Sequence, residues 1–476
     1  MLMACGVSEP TEPLRAETDR VRRLVILYTN DEHGWMEPYK RAAGAAGLLS
    51  LWKDREGYTP EGPFLVLSGG DMWTGPAIST LTAGESMTDV MNRMGYQAAA
   101  LGNHDFDFDL DAIRRRAAQA EFPFLSANLT ERSSGKSPDF AQPYALIEVN
   151  GIRVGVIGLT TLETPVDTKP RFVAGLRFGG YEEALARYVP EMRSAGADLI
   201  VVAGHICGNE MRKLAPFAAE LGVDVLGGGH CHEEIAEEDS GIPLAQSTSY
   251  LMGYNRMELF VDLETDAVVD SRVEFIENRT RGRDPELEQA ISMWRSALPP
   301  ETVAGLGYAR QPIDDDSPAM AKLLLGSWLW ADPEAEIALA SPRYVQQHIP
   351  KGTISAETII GILPTTNELL RLELSGDELR KVLRRRNPMV AGLHETAEGW
   401  TLDDGTPLQD DRRYSVLVPD TLYAGGNYYE LDEADPTPTA TGIDWRQPAI
   451  DWLRQNPTSW ISPLDRLLGE SIEPAD

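Results

Sequence analysis

Leu24-Val25-Ile26-Leu27-Tyr28 runs straight into Thr29-Asn30-Asp31-Glu32-His33-Gly34. Five apolar residues without alternation read as a strand buried on both faces, as in a sheet covered by helices. The polar hexapeptide behind it then sits at the carboxyl end of that strand, where ligands of open α/β sheets bind. The same succession recurs. Phe64–Leu67 leads into Ser68-Gly69-Gly70-Asp71, and Ala98–Leu101 into Gly102-Asn103-His104-Asp105-Phe106-Asp107. Leu199–Ala203 leads into Gly204-His205, and Val223–Leu226 into Gly227-Gly228-Gly229-His230-Cys231-His232-Glu233. With Val154–Ile157, these runs define an α/β segment from about Val21 to Glu277.

Of the seven histidines, five (His33, His104, His205, His230 and His232) lie in these loops. Neighbouring strands are about 4.8 Å apart, so loops distant in sequence can meet. The flanking glycines allow sharp turns and close backbone approach. An Asp-x-His pair can direct both side chains to one centre; a His-x-His pair can do the same or serve two adjacent centres. Imidazole, carboxylate and one Asn amide suit Zn²⁺, Mn²⁺ or a similar divalent ion. One such loop is an ordinary turn, but five in series, each after a strand, are not explained by turn chemistry.

Asp-x-His, Gly-Asp, Gly-Asn-His-Asp, Gly-His and Gly-His-x-His in this order resemble the calcineurin-like metallophosphoesterases. The stretches 29–34 and 102–107 are similar, more specifically, to the 5′-nucleotidase family, which includes UDP-sugar hydrolases and cyclic-nucleotide phosphodiesterases. The resemblance implies an α/β fold: a metallophosphoesterase β-sandwich flanked by helices in four layers, a linking helix and a separate C-terminal 5′-nucleotidase-like α/β domain. It implies two divalent metal ions, one held by Asp31, His33, Asp71 and His232, the other by Asp71, Asn103, His205 and His230, with Asp71 shared. It further implies that His104 is no ligand but faces the phosphoryl group, and that Asp107 orients it.

Domain boundaries follow from texture. Residues 1–21 form an N-terminal tether, 22–277 the metallophosphoesterase domain, 278–300 a polar linker and helix, and 301–476 the C-terminal substrate domain. Helices are expected over Glu286–Ala297 and Met320–Leu329, and from a capping box at Ser375-Gly376-Asp377-Glu378 to Arg386. Tyr414–Val418 reads as a strand.

The second domain departs from the family pattern. Arg343 stands at the spacing of a family arginine and Gly425-Gly426 matches a Gly-Gly pair. Thr365 and Thr421, however, replace the two aromatic rings that would clamp a base, and Asn427 replaces an Asp. Tyr423 could substitute for a missing ring, as could Tyr428 or Tyr429. Stacking is worth about 1–3 kcal/mol per base, so the substrate assignment stays open. A phosphate mono- or diester of a nucleotide is one reading and a non-nucleotide ester another. A third is an exported protein that keeps its metals for stability, which would not require His104. Asp314-Asp315-Asp316 and the basic cluster from Arg380 to Arg386 read as a solvated turn and a helix end, and Trp328 and Trp330 as core.

Composition excludes other classes. With 42% hydrophobic and 25% charged residues the chain is neither disordered nor fibrous. A formal charge of −31 repels a phosphate backbone, so a nucleic-acid polymer is not the expected partner; a small phosphate ester is. No apolar run approaches the roughly 20 residues that span a bilayer. The three cysteines are too few for a disulfide scaffold, and Cys207 and Cys231 are expected to be small buried filler. Leu2-Met3-Ala4-Cys5-Gly6 resembles a lipobox, so Cys5 is either a lipid anchor of a periplasmic or cell-surface protein or a chance match. No basic region or apolar core precedes it.

Overall fold

A computed structural model describes residues 20–397, 399–425, 429 and 431–469. Fourteen strands form between Val21 and Glu277: β1 (Val21–Thr29), β2 (Phe64–Ser68), β3 (Ala98–Ala100), β4 (Phe124–Leu125), β5 (Leu129–Glu131), β6 (Tyr144–Val149), β7 (Ile152–Leu159), β8 (Leu176–Phe178), β9 (Leu199–Gly204), β10 (Val225–Gly227), β11 (Glu234–Asp239), β12 (Ile242–Ser247), β13 (Gly253–Asp262) and β14 (Ala267–Glu277). Twelve of them build two six-stranded sheets, ordered β14-β13-β1-β2-β3-β4 and β11-β12-β10-β9-β7-β6.

The unbroken apolar runs explain the layering. Leu24, Ile26 and Tyr28 of β1 meet Val154, Val156, Leu199 and Val201 of the other sheet, forming the core between the sheets. Val25 and Leu27 point the opposite way, into a second core with the helices Gly44–Leu51, Glu85–Met94 and Pro285–Ser296. Ile200, Val202 and Leu226 pack outward against the helices Tyr181–Ser194 and Gly208–Glu220. The order helix, sheet, sheet, helix is the expected four-layer sandwich. Each buried Leu, Ile or Val contributes about 1.5–3 kcal/mol, and a one-residue slip would exchange the two faces of a strand.

That fixed register positions the loops. β1, β2 and β3 are parallel, with Thr29 opposite Ser68 and Ser68 opposite Ala99. Their following loops therefore leave the sheet at one level. β9 and β10 are parallel in the second sheet. Buried Tyr28 bridges the sheets at this end, its hydroxyl 3.0 Å from the Gly228 carbonyl and 3.3 Å from that of Gly204.

In the C-terminal part a five-stranded sheet takes the order Met389–Ala391, Ile337–Ala340, Arg413–Pro419, Glu368–Ser375, Thr439–Asp444. The helices Pro318–Ala331 and Gln447–Gln455 cover one face, and Gly376–Arg386 the other. The capping box forms as expected: Ser375 Oγ accepts from Glu378 N, and the Glu378 carboxylate accepts from Ser375 N at 2.8 Å. Trp328 is core. Arg380 pairs with Asp410 and Lys381 with Asp377, as befits a solvated helix surface.

Side chains from both parts join over the strand ends. Buried Lys169 donates to the Thr366 carbonyl and lies 3.5 Å from Asp420. Tyr250 donates to Gln346 at 3.4 Å, Tyr39 meets His348 at 3.3 Å, and Arg295 pairs with Glu357 and Glu37. No described helix is long and apolar enough to cross a membrane.

Candidate dimetal site

Every candidate ligand lies on a loop just after a strand. Asp31 and His33 follow β1, Asp71 follows β2, Asn103 follows β3, His205 follows β9, and His230 and His232 follow β10. Five of these loop residues hold left-handed backbone: Asp31 (φ 52°), His33 (48°), Asp71 (58°), His230 (73°) and His232 (54°). Such conformations are uncommon outside glycine and gather where a site imposes them. The glycines beside them are sterically required. A Cβ at Gly102 would lie 2.1 Å from Asp71 Oδ1.

Two groups result. The possible ligand atoms of Asp31, His33 and His232 lie within 4.8 Å of one another, and so do those of Asp71, His205 and His230. His205 Nε2 is 3.0 Å from Asp71 Oδ2 and 3.2 Å from Asn103 Oδ1. Asp71 Oδ2 is also 3.8 Å from His33 Nε2, so this carboxylate stands between the groups. The His-x-His pair thus divides between the two groups, one histidine in each.

The arrangement fits cations. Asp31 and Asp71 are fully buried carboxylates, and burial alone would raise both. The surrounding imidazoles outweigh it, His232 and His205 for Asp31, His205 and His104 for Asp71, and hold both acids below their ordinary range. In return, despite its own burial, His205 is raised to about 9 by Asp71 and Asp31. A proton there occupies the place a cation takes, since ligands must bind deprotonated. His33 is already prepared. Burial lowers it to about 4, its Nδ1–H donates to the Thr74 carbonyl at 2.8 Å, and its buried Nε2 has no hydrogen-bond partner among the described residues. His205 Nδ1 likewise donates to Gly69 O at 2.9 Å. A carbonyl only accepts, so both rings carry the Nδ1 proton and turn Nε2 inward, where His205 offers a lone pair once its second proton leaves.

His104 belongs to neither group. Its ring lies 5.2 Å from that of His33, and its side chain keeps 22% exposure toward the cleft. Nδ1 faces Asp107 Oδ2 at 2.6 Å, and Asp107 Oδ1 accepts from Thr168 at 3.2 Å. Burial would lower this imidazole, but Asp107 and Asp71 raise it to about 10. Converting Asp107 to Asn should reduce kcat on the order of 10–100-fold through lost orientation of the ring. Steady-state kinetics with unchanged metal content would check this.

Several supporting residues carried no role in the sequence reading. Buried Asp105 accepts from the backbone N–H groups of Asp71, Met72 and Gly102 at 2.8–3.0 Å, clasping two ligand loops. Burial raises it to about 7. Glu32, raised to about 8 by burial, takes hydroxyl hydrogen bonds from Thr29 and Ser68. Asn30 Oδ1 accepts from Ser247 N at 2.6 Å. Their only sequence signal is adjacency to the ligands within the same motifs.

One expectation is overturned. Cys207 and Cys231 are not small buried filler: they form a disulfide, Cα–Cα 5.1 Å, and Cys231 is exposed on the cleft wall. The 230–232 stretch is not extended, because both histidines are left-handed.

The site opens into a cleft of about 550 Å³ whose far wall comes from the C-terminal part. Arg343 lines it, with Thr365, Thr421, Asp315, Tyr344 and Trp445. Tyr423 does not line it: its hydroxyl donates to the Asp435 carbonyl at 3.0 Å. Tyr429 is buried in the core, and Asn427 and Tyr428 lie outside the described residues. Tyr344 instead brings a half-buried ring to the wall, backed edge-on by buried Trp445 with ring centroids 5.5 Å apart. Thr421 donates to the Tyr344 hydroxyl at 3.1 Å, and Trp445 donates to the Thr365 carbonyl at 2.8 Å. The Asn367 amide donates to Thr421 at 3.0 Å, while its buried Oδ1 has no partner among the described residues. A third acidic group, Glu163 and Asp167 beside His230, edges the cleft.

A two-sheet sandwich with dimetal ligand groups at its strand ends, joined to a C-terminal α/β part, defines a calcineurin-like metallophosphoesterase. Comparisons with known proteins agree. The family described as "5′-nucleotidase, C-terminal domain" matches residues 319–432, and that described as "bacterial capsule synthesis protein PGA_cap" matches residues 58–235. A 5′-nucleotidase of Vibrio cholerae is 33% identical over 94% of this chain and 92% of its own. One of Vibrio parahaemolyticus is 32% identical over 98% and 93%. The structure of a 5′-nucleotidase precursor from Thermus thermophilus superposes with a TM-score of 0.80 at 22% identity, covering 92% of this chain and 97% of that one. The chain belongs to the 5′-nucleotidase family.

Proposed function

We propose that this enzyme hydrolyses the phosphate ester of a nucleotide or related compound, using a water activated between the two ligand groups. The observation that carries the reading is the convergence of both groups on Asp71, with His104 facing the same cleft. Asp31, His33, Asp71 and His232 would hold one divalent ion, and Asp71, Asn103, His205 and His230 the other, Zn²⁺, Mn²⁺ or a similar ion being suited to the donor set. Two such ions supply Lewis-acid polarisation of phosphoryl oxygens and acidify water. His104, with Nδ1 tied to Asp107, lines the cleft and would hydrogen-bond the phosphoryl group or protonate the leaving oxygen through Nε2. His104 and Asp107 argue for catalysis over a stabilising role for the metals.

Tyr344 supports a nucleotide despite the missing ring positions at Thr365 and Thr421, because its half-buried ring returns aromatic surface to the same wall. Asn367 Oδ1, without a partner among the described residues, adds an acceptor on that wall. Arg343 offers a positive charge to the phosphate or ribose. A hydrogen bond to a charged group is worth about 1.5–3 kcal/mol. Arg343→Ala should therefore raise KM by about 10–100-fold with kcat little changed.

A panel of nucleoside monophosphates, UDP-sugars, cyclic nucleotides and sugar phosphates, run on metal-loaded protein, tests the substrate class. Nucleotides should be preferred; faster turnover of simple sugar phosphates would overturn the reading. The Cys207–Cys231 bond suits an oxidising compartment. Together with the lipobox-like Cys5, which lies outside the described residues, it supports a periplasmic or cell-surface location.

A further inference from the structure

The Cys207–Cys231 disulfide sits inside the candidate dimetal site. Cys207 is two residues beyond His205 and Cys231 lies between His230 and His232. The bond therefore joins the loop after β9 to the loop after β10, and it lies within two residues of three candidate ligands in both groups.

The two ends of this link are unequally supported. On the Cys207 side, β9 is wholly buried, and the helix Gly208–Glu220 starts at once. The Glu210 carboxylate accepts from Cys207 N at 3.3 Å, and His205 is fixed through Gly69 O. On the Cys231 side the loop leaves the three-residue strand β10. Gly229 N donates to Ile206 O at 3.0 Å, and Thr248 N donates to Glu233 O at 2.9 Å. Between these points the backbone takes left-handed φ at both histidines. Cys231 N bonds only within the loop, to Gly229 O, and His230 N donates to the Asp31 carboxylate. No regular secondary structure holds His230 or His232 in place. The covalent tie reaches this loop at its centre, from its best-anchored neighbour.

We infer that the Cys207–Cys231 disulfide is a positioning device for the metal ligands, so that divalent-cation retention depends on the thiol redox state. The inference rests on the dimetal reading of the same side chains. Cys231 is exposed on the cleft wall, so a reductant can reach the bond. With a phosphine the balance is simple. The S–S bond breaks, the phosphine gives up two electrons and takes oxygen from water to become the phosphine oxide, and the two protons end on the two thiols. The 230–232 loop is then held by its few hydrogen bonds alone. Groups that orient ligands typically cost about 10–100-fold in metal affinity when removed, and that loss is expected here.

The test uses the full chain. Oxidised protein, protein reduced with a water-soluble phosphine and desalted anaerobically, and the variant Cys207→Ser/Cys231→Ser are each titrated with Co²⁺. Affinity is read from the visible d–d absorption and by chelator competition, and folding from far-UV circular dichroism. Reduced wild type and the variant should both bind Co²⁺ about 10–100-fold more weakly than oxidised protein. Reoxidation with a disulfide such as oxidised glutathione should restore the wild type, and the phosphine should not affect the variant. If the variant does not fold, the reversible wild-type comparison decides alone. Equal affinity in both redox states would overturn the inference. So would tighter binding on reduction with a sulfur-to-cobalt charge-transfer band, which would make the thiolates ligands. If oxidised protein takes up no Co²⁺ at all, the dimetal reading falls and this inference with it, a result distinct from equal uptake by the two forms.

Discussion

His104→Ala should lower kcat by about 10²–10⁴-fold, the range for removing a positioned acid–base group, while both metals stay bound. The structure separates the two effects. His104 belongs to neither ligand group, and its contact with Asp71 is made by its backbone N–H, 2.8 Å from Oδ1, which alanine keeps. The imidazole is held elsewhere, by Asp107 at 2.6 Å with Thr168 behind it. Removing a partly exposed ring opens a space continuous with the cleft rather than a sealed cavity. Metal analysis beside kcat is the decisive pairing. Full activity in the variant would end the role assigned to His104. Lost activity with lost metal would make it a structural support of the ligands instead.

The ligand loops were legible because their signal is local. A both-face-buried strand such as Leu24–Tyr28 must be apolar throughout, and the loop after it cannot be, so Asp31 and His33 announce themselves by position. The same holds for the Ser375–Glu378 cap, whose partners are three residues apart. What stayed hidden depends on long-range convergence. Cys207 and Cys231 look like filler until β9 and β10 are seen to pair in parallel, which brings their loops side by side. Tyr344 and Trp445 are about a hundred positions apart, and neither occupies a place where the family resemblance puts a ring. Tyr423 was sought for its neighbourhood in sequence, but the short helix Asp420–Tyr423 turns its hydroxyl to Asp435. Asp105 and Glu32 escaped for another reason: they bond to the loops that carry the ligands, and such duties leave no spacing pattern.

Asp71→Asn should remove cation binding at both groups, and with it about 10³-fold or more of the activity, corresponding to about 4 kcal/mol. Asp71 Oδ2 lies 3.0 Å from His205 Nε2 and 3.8 Å from His33 Nε2, one ring in each group. The amide preserves shape and can still accept the His104 N–H, so the loop need not collapse, but it brings no charge to neutralise a cation. A readout independent of turnover follows from linkage. The wild type buries Asp31 and Asp71 within one pocket of ligands, and a cation that binds only the folded chain stabilises it by about 2.7 kcal/mol at a hundred times its dissociation constant. The melting temperature of wild type should therefore rise with added Mn²⁺ or Zn²⁺ and fall on chelation. The variant should lose most of that response, and its cation-free stability should fall, because His205 loses the buried carboxylate that pairs with it at 3.0 Å. A variant that still gains stability from the metal as the wild type does would show that the two groups do not share Asp71, and the bridged site would have to be redrawn as two separate ones.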